Sequence, residues 1–198
     1  IADCLPTTQW AVELAEALQS PAIVLSDQFM GQSRAVIDRP PDAAVAGKRL
    51  VAEANAPDYK RYRDTDSGIS PMAVPGTPGT VYTADGLSHT EAGIPSSGAR
   101  DHQLQLDKRA RKLARHDYGG RWADLEGDGN AAVITFGSTT AAVREALARA
   151  AAQGVHARLV ALRLLAPLCR EALAEALAGC TLVVGLSVDA RREVMPID

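Results

Sequence analysis

The sequence predicts an α/β protein whose C-terminal part carries a parallel sheet, and three observations lead there. Residues 126–198 alternate short apolar runs with amphipathic helical segments, the strand–helix–strand–helix–strand order of a parallel sheet with right-handed crossovers. Near the other end, Ala22 to Leu25 is a wholly apolar run closed by Ser26-Asp27, as expected of a strand covered on both faces. Between them, residues 34–100 lack sustained periodicity, hold most of the prolines, and are too long for an ordinary connection. The chain therefore divides into the end of one α/β domain (1–45), a proline- and glycine-rich arm ending in a basic helix (46–125), and a second α/β domain (126–198).

The elements follow in order. Trp10, Leu14, Ala17 and Leu18 fall on one helical face, with Thr7 or Thr8 as cap and Pro21 as stop. Asp27 stands where open α/β sheets place ligands, or simply caps the turn Gln28 to Gly31. Asp42 to Val51 is expected to include a helical turn, and Thr80 to Tyr82 a short strand. Asp101 to His116 is a helix with an apolar stripe of Leu106, Ala110, Leu113 and Ala114. Its cations, Lys108, Arg109, Arg111, Lys112 and Arg115, either bind phosphate, ferredoxin or nucleic acid or, as is commoner, form a solvated face, which is the expectation here. Then come a turn at Gly127 to Asn130, a strand at Ala131 to Phe136, and a helix opened by Ser138 and closed near Gly154. Val155 to Leu162 and Thr181 to Leu186 are strands, flanking a helix from Leu168 to Leu177.

Composition narrows the function classes. A hydrophobic content of 46% supports a core, and with only 4% aromatics that core is built of Ala, Leu and Val. The net charge of −3 gives no reason to expect a nucleic-acid or anionic-membrane partner. No apolar run is long enough to span a bilayer, and no signal peptide pattern opens the chain, so a cytoplasmic location is expected. Cys4, Cys169 and Cys180 are an odd set without a C-x-x-C, which argues against disulfides and against an iron–sulfur site in this chain. The chain opens on Ile1 almost directly into a helix, the expectation for a segment that starts inside a domain of a longer subunit.

The segment Tyr59 to Gly79 carries the most information. Pro71, Pro75 and Pro78 exclude a helix interior and a central strand. Tyr59, Tyr62, Ile69 and Met72 supply anchors, so an ordered loop is expected, and long ordered loops are usually functional. The pattern Arg61-Tyr62, Thr65, Gly68-Ile69-Ser70-Pro71 and Pro75-Gly76 resembles a loop in the alpha subunit of the 2-oxoacid:ferredoxin oxidoreductases, most closely the 2-oxoglutarate type. Where many of those proteins carry Arg after Ser-Pro, this chain has Met72. Pro21 to Asp27 resembles the strand ending the family's pyrimidine-binding-like domain, and Asp85 to Gly93 resembles its Gly-x-x-His-x-x-x-Gly loop. The C-terminal part resembles the transketolase C-terminal-like domain. It keeps part of that domain's proline-rich stretch at Arg163 to Cys169 and departs at Gly185 to Asp189.

The resemblance implies an enzyme that oxidatively decarboxylates a 2-oxoacid, passes the acyl group to coenzyme A and reduces ferredoxin, with thiamine diphosphate carrying the carbanion chemistry. It implies that thiamine diphosphate, Mg²⁺ and a [4Fe-4S] cluster belong to a beta subunit and to chain outside this segment. This chain alone is then expected to be inactive and to bind no cofactor tightly. Its partners would be that beta subunit, ferredoxin and a second alpha copy, with the arm walling the site. Two other readings stay open: a transketolase-like subunit of an NAD-linked 2-oxoacid dehydrogenase, and a non-catalytic α/β interaction module.

Candidate site residues are few. His89 lies in a glycine-bounded loop and either donates to a carboxylate or phosphate, or fixes the loop. Arg61 offers a planar fork suited to a carboxylate, with Thr65 adding a hydroxyl; alternatively Arg61 pairs with Asp64 or Asp66. Gly68, Ser70, Pro71, Gly76 and Gly93 are expected to shape the loops. Three features look functional and are read as structural. Gly127-Asp128-Gly129 lacks the downstream Asn pair of a thiamine-diphosphate motif. Gly137-Ser138-Thr139-Thr140 lacks the lysine of a phosphate loop and is read as a helix cap. Cys169 lies near a helix start with no His beside it in sequence.

Overall fold

The computed structural model describes residues 2–40, 47–187 and 193–195. The fold is mixed α/β, in two units that the chain visits alternately: residues 25–37 and 118 onward form one, and residues 3–24 and 38–117 the other.

The first unit holds a five-stranded sheet. Its strands are β3 (Ala123–Glu126), β4 (Ala131–Phe136), β5 (Arg158–Leu162), β6 (Leu182–Leu186) and β7 (Glu193–Met195), ordered β3-β5-β4-β6-β7. The predicted parallel core is present: β4 runs parallel to both β5 and β6, and antiparallel β3 and β7 flank it. Alternation along β5 explains how both faces become buried. Leu159 and Ala161 pack with Val143 and Leu147 of helix α4 (Thr139–Ala151), while Val160 packs with Leu173 and Ala176 of helix α5 (Arg170–Ala176).

Several expectations are corrected here. The strand of Val155 to Leu162 begins at Arg158, and the helix after Pro167 begins at Arg170. Ser138 precedes α4 but makes no side-chain cap; its hydroxyl donates instead to the carboxylate of Asp27. Asp27 caps the short helix α2 (Gln28–Gln32) by accepting from the Met30 N–H at 2.8 Å, the simpler of its two readings. Those two hydrogen bonds, the Ser138 one first, hold the Asp27 carboxyl below the usual carboxylate range. At the start of α5, burial pushes the Cys169 thiol up, consistent with a packed thiol and not a reactive one.

The second unit contains α1 (Cys4–Leu18), a two-stranded ribbon of β1 (Ser88–His89) with β2 (Pro95–Ser96), and α3 (Ala99–Arg115). Helix α1 starts a turn before the expected caps: Asp3 is the N-cap residue, and Thr7 donates its hydroxyl to the Asp3 carboxylate. Ala22 to Leu25 forms no strand, and Ile23 and Leu25 are exposed. Apolar composition suits that run to a sheet, but the described residues give it no partner strand. Thr80 to Tyr82 is likewise not a strand; Thr80 is buried and hydrogen-bonds the Thr77 carbonyl. Of the helical turn expected within Asp42 to Val51, residues 42–46 lie outside the described residues. Residues 47–51 are extended, and Val51 bridges to Met72.

The arm is ordered by its own backbone. Leu50 and Ala52 exchange hydrogen bonds with Met72, Pro75-Gly76 forms a turn closed by Thr77 N–H to Val74 O, and Gly93 N–H closes on Thr90 O at the end of β1.

Candidate functional site

The arm folds onto the basic face of α3, and this is where the structure departs furthest from the sequence reading. The only fully buried residue of α3 is Lys108, at 7% exposure. It lies two residues from Leu106, roughly 200° around the helix from the predicted apolar stripe. Its ammonium donates to the Arg63 carbonyl at 2.6 Å and to the Ser70 hydroxyl, and Ser70 is itself 1% exposed. Arg111 donates to the Asp64 carboxylate and the Thr65 carbonyl, Arg115 to the Asp66 carbonyl, and Lys112 to the Gln19 carbonyl. The expected solvated face is thus a row of donors that satisfies the carbonyls of Arg63, Thr65 and Asp66, in a stretch without a ladder of its own.

Gly68 permits this approach. Its φ is +75°, and a Cβ there would sit 2.5 Å from the Lys108 carbonyl oxygen. Only glycine accommodates both the left-handed backbone and that contact.

Between the arm and α3 lies a cavity of about 290 Å³. Arg61, Lys108, Arg109 and Lys112 line it, together with Gln19 and Tyr62, and no carboxylate belongs to its lining. Arg61 does not pair with Asp64, which Arg111 takes; its guanidinium donates to the Ser70 carbonyl at 3.3 Å and lies 5.9 Å from the centroid of the Tyr82 ring. Burial, then the neighbouring Arg61 charge, pushes Lys108 down to about 8, and the same two causes lower Lys112.

Of the other sequence candidates, Gly68 and Ser70 also line the cavity, while Thr65, His89, Pro71, Gly76 and Gly93 lie outside its lining. Thr65 donates its hydroxyl to the Ile69 carbonyl at 3.0 Å. His89 is 3% exposed and stacks on Tyr62 with centroids 4.2 Å apart and rings 1° from parallel. Its Nε2 makes no hydrogen bond among the described residues, with Asp85 Oδ1 3.4 Å away. The His89 backbone carbonyl accepts from Gln105 of α3. Pro71 accepts from the Tyr59 hydroxyl through its carbonyl. Lys108, Arg109 and Lys112 were not among the site residues expected from sequence. The signal for them was the spacing of Lys108 and Lys112, one helical turn apart and directly after a long proline-rich arm.

No cluster of three or more His, Cys, Asp or Glu side chains suited to a metal ion exists among the described residues. No helix of the described residues is long and apolar enough to cross a membrane.

No protein-family model matches the chain. Individual proteins do. The 2-oxoacid:ferredoxin oxidoreductase 2 alpha subunit of Aeropyrum pernix is 31% identical over 191 residues, covering 92% of this chain. The chain is homologous to the alpha subunits of the 2-oxoacid:ferredoxin oxidoreductases. Within that family, the 2-oxoglutarate oxidoreductase subunit KorA of Mycobacterium tuberculosis is 30% identical over 173 residues, covering 84% of this chain. A solved 2-oxoglutarate:ferredoxin oxidoreductase from Magnetococcus marinus, with 2-oxoglutarate, coenzyme A and succinyl-CoA bound, superimposes with a TM-score of 0.79 at 34% identity over 92% of this chain. The chain spans 29% of the Aeropyrum relative, 26% of the Mycobacterium one and 32% of the Magnetococcus chain.

Proposed function

We propose that this chain is part of the alpha subunit of a cytoplasmic 2-oxoacid:ferredoxin oxidoreductase acting on 2-oxoglutarate and forming an acyl-CoA and CO₂. On this reading residues 1–45 end a pyrimidine-binding-like domain, 46–125 are the arm, and 126–198 are a transketolase C-terminal-like domain. Thiamine diphosphate, Mg²⁺ and the [4Fe-4S] cluster reside with the beta subunit, and ferredoxin and a second alpha copy complete the assembly. When bound there, thiamine diphosphate supplies the carbanion chemistry.

The observation that carries the reading is the arm itself. Its family-like residues Gly68 and Ser70 are the ones fixed against α3 by Lys108 and by the close backbone approach. A loop held this way keeps its shape before a partner docks, so little ordering entropy opposes assembly. Arg61, held by Ser70 and without a carboxylate partner in its lining, binds and orients the oxoacid carboxylate. The arm excludes water from the reacting centre. His89 and Thr65 act one step back: His89 holds Tyr62 flat, and Thr65 braces Ile69.

The test is to assemble the parent complex and measure ferredoxin reduction with 2-oxoglutarate against pyruvate in the presence of coenzyme A. Reduction dependent on 2-oxoglutarate is expected, and Arg61→Ala is expected to raise KM for the oxoacid. No reduction with either oxoacid would overturn the assignment. Wild-type kinetics in Arg61→Ala would leave the arm a purely structural element.

A further inference from the structure

The cavity beside α3 carries more positive charge than one oxoacid carboxylate can compensate. Four cations line it and no acid does. Asp64, the acid whose field reaches Lys108, is taken by Arg111. Arg109 is exposed and has no partner among the described residues. Lys108 is nine-tenths buried and fixed by two acceptors from the arm, so its charge is held in place. After burial, the Arg61 charge lowers the Lys108 pKa by more than Asp64 restores, and Lys112 and Arg111 add to the repulsion.

We propose that the basic face of α3, with Arg61, is a binding site for a diphosphate-type anion. The two carboxylates of 2-oxoglutarate would still leave two of these four cations uncompensated. A phosphate group carries about −1.5 to −2 at neutral pH, so two linked phosphates match the four cations. Size agrees: about 290 Å³ lies at the small end for ligand cavities, which suits a compact anionic group better than a whole drug-sized molecule. The donor types agree as well, since guanidinium groups grip phosphate bidentately and ammonium groups act as point charges. The site rests on the charge and geometry of this chain and not on the reaction proposed above.

Calorimetry on the chain with sodium pyrophosphate, orthophosphate and 2-oxoglutarate as probes tests it. Pyrophosphate is expected to bind about tenfold more tightly than 2-oxoglutarate, and to weaken as salt is raised. Arg109→Gln is chosen because that side chain holds nothing in the fold, and it is expected to weaken pyrophosphate about tenfold. Arg149→Gln, on α4 outside the cavity lining, is expected to leave binding unchanged. No pyrophosphate binding up to about 10 mM, or the same affinity in Arg109→Gln and Arg61→Gln as in the wild type, would overturn the site. Tighter binding of 2-oxoglutarate than of pyrophosphate would also overturn it while leaving the proposed oxoacid function standing. Pyrophosphate binding as expected, with a parent complex that reduces no ferredoxin, would sink that function and keep this site.

Discussion

The ammonium of Lys108 donates to the hydroxyl of Ser70, a residue 38 positions earlier in the chain, and both are almost wholly buried. A lysine in that position links the conformation of the arm to the presence of α3. Its removal strands the Ser70 hydroxyl oxygen as an acceptor and leaves the Arg63 carbonyl with the Ser70 hydroxyl as its remaining donor, at 2.9 Å.

Lys108→Ala is therefore expected to loosen the arm. Leaving one buried acceptor unmet costs about 1–2 kcal/mol, the lower part of the usual range. The measurable consequence is cleavage by trypsin after Lys60, Arg61 or Arg63, accelerated roughly 5- to 30-fold, as a change of one to two kcal/mol implies. Unchanged cleavage there would show that the arm holds its shape without the lysine.

Lys108 also makes stability depend on pH. Its folded pKa is lowered from 10.5 to about 8 by burial and then by Arg61. A depressed value means the unfolded chain binds the proton more tightly between those two limits. The stabilisation is present above 10.5 and is lost as pH falls through about 8. Wild-type protein is thus expected to gain stability relative to Lys108→Ala as pH rises from 8 toward 10.5, read as the difference in urea midpoints. Above 10 the tyrosines Tyr59, Tyr62 and Tyr118, whose values are raised by burial, act in the opposite direction in both proteins. A difference that shrinks with rising pH would contradict the assignment.

Two glycines of the arm separate backbone strain from contact. Gly76 has φ +91° and no atom within 4 Å of where a Cβ would stand, whereas Gly68 has φ +75° and the Lys108 carbonyl 2.5 Å from that point. Alanine at Gly76 is expected to cost about 1–2 kcal/mol for the left-handed backbone alone. Alanine at Gly68 is expected to cost more than that, since α3 or the arm must also move. Equal unfolding midpoints for the two variants would show that the close approach is easily relieved.

His89→Ala removes the face stacked on Tyr62. Aromatic pairs contribute about 0.5–1.5 kcal/mol beyond their buried area, so a loss at least that large is expected in chemical denaturation. A changed near-ultraviolet circular dichroism signal from Tyr62 should accompany it. An unaltered spectrum would mean that the ring keeps its position without the imidazole.

The parallel core was legible because its signals are local. Ala131 to Phe136 and Thr181 to Leu186 are apolar runs bounded by glycine or polar turns, and short-range pattern suffices to identify them. Strand β3 was not, because Ala123-Asp124-Leu125-Glu126 is short and half-exposed, and only its pairing with β5 makes it a strand. Ala22 to Leu25 shows the reverse failure: strand-like composition without a strand to pair with among the described residues. The site was legible in its arm residues and not in its helix residues. Arg61 and Gly68 stand in a segment unusual enough to attract notice, whereas Lys108 reads as one more surface lysine. Its acceptors lie 38 and 45 residues away, a distance at which periodicity carries no information.

The alternation of the chain between its two units bears on any attempt to dissect the protein. A cut between Asp117 and Tyr118 separates the sheet from residues 25–37, which belong to the same unit. The C-terminal piece would keep Ser138 and lose Asp27, the carboxylate that receives its hydroxyl. Circular permutation or co-expression of both pieces preserves that pairing; simple truncation does not.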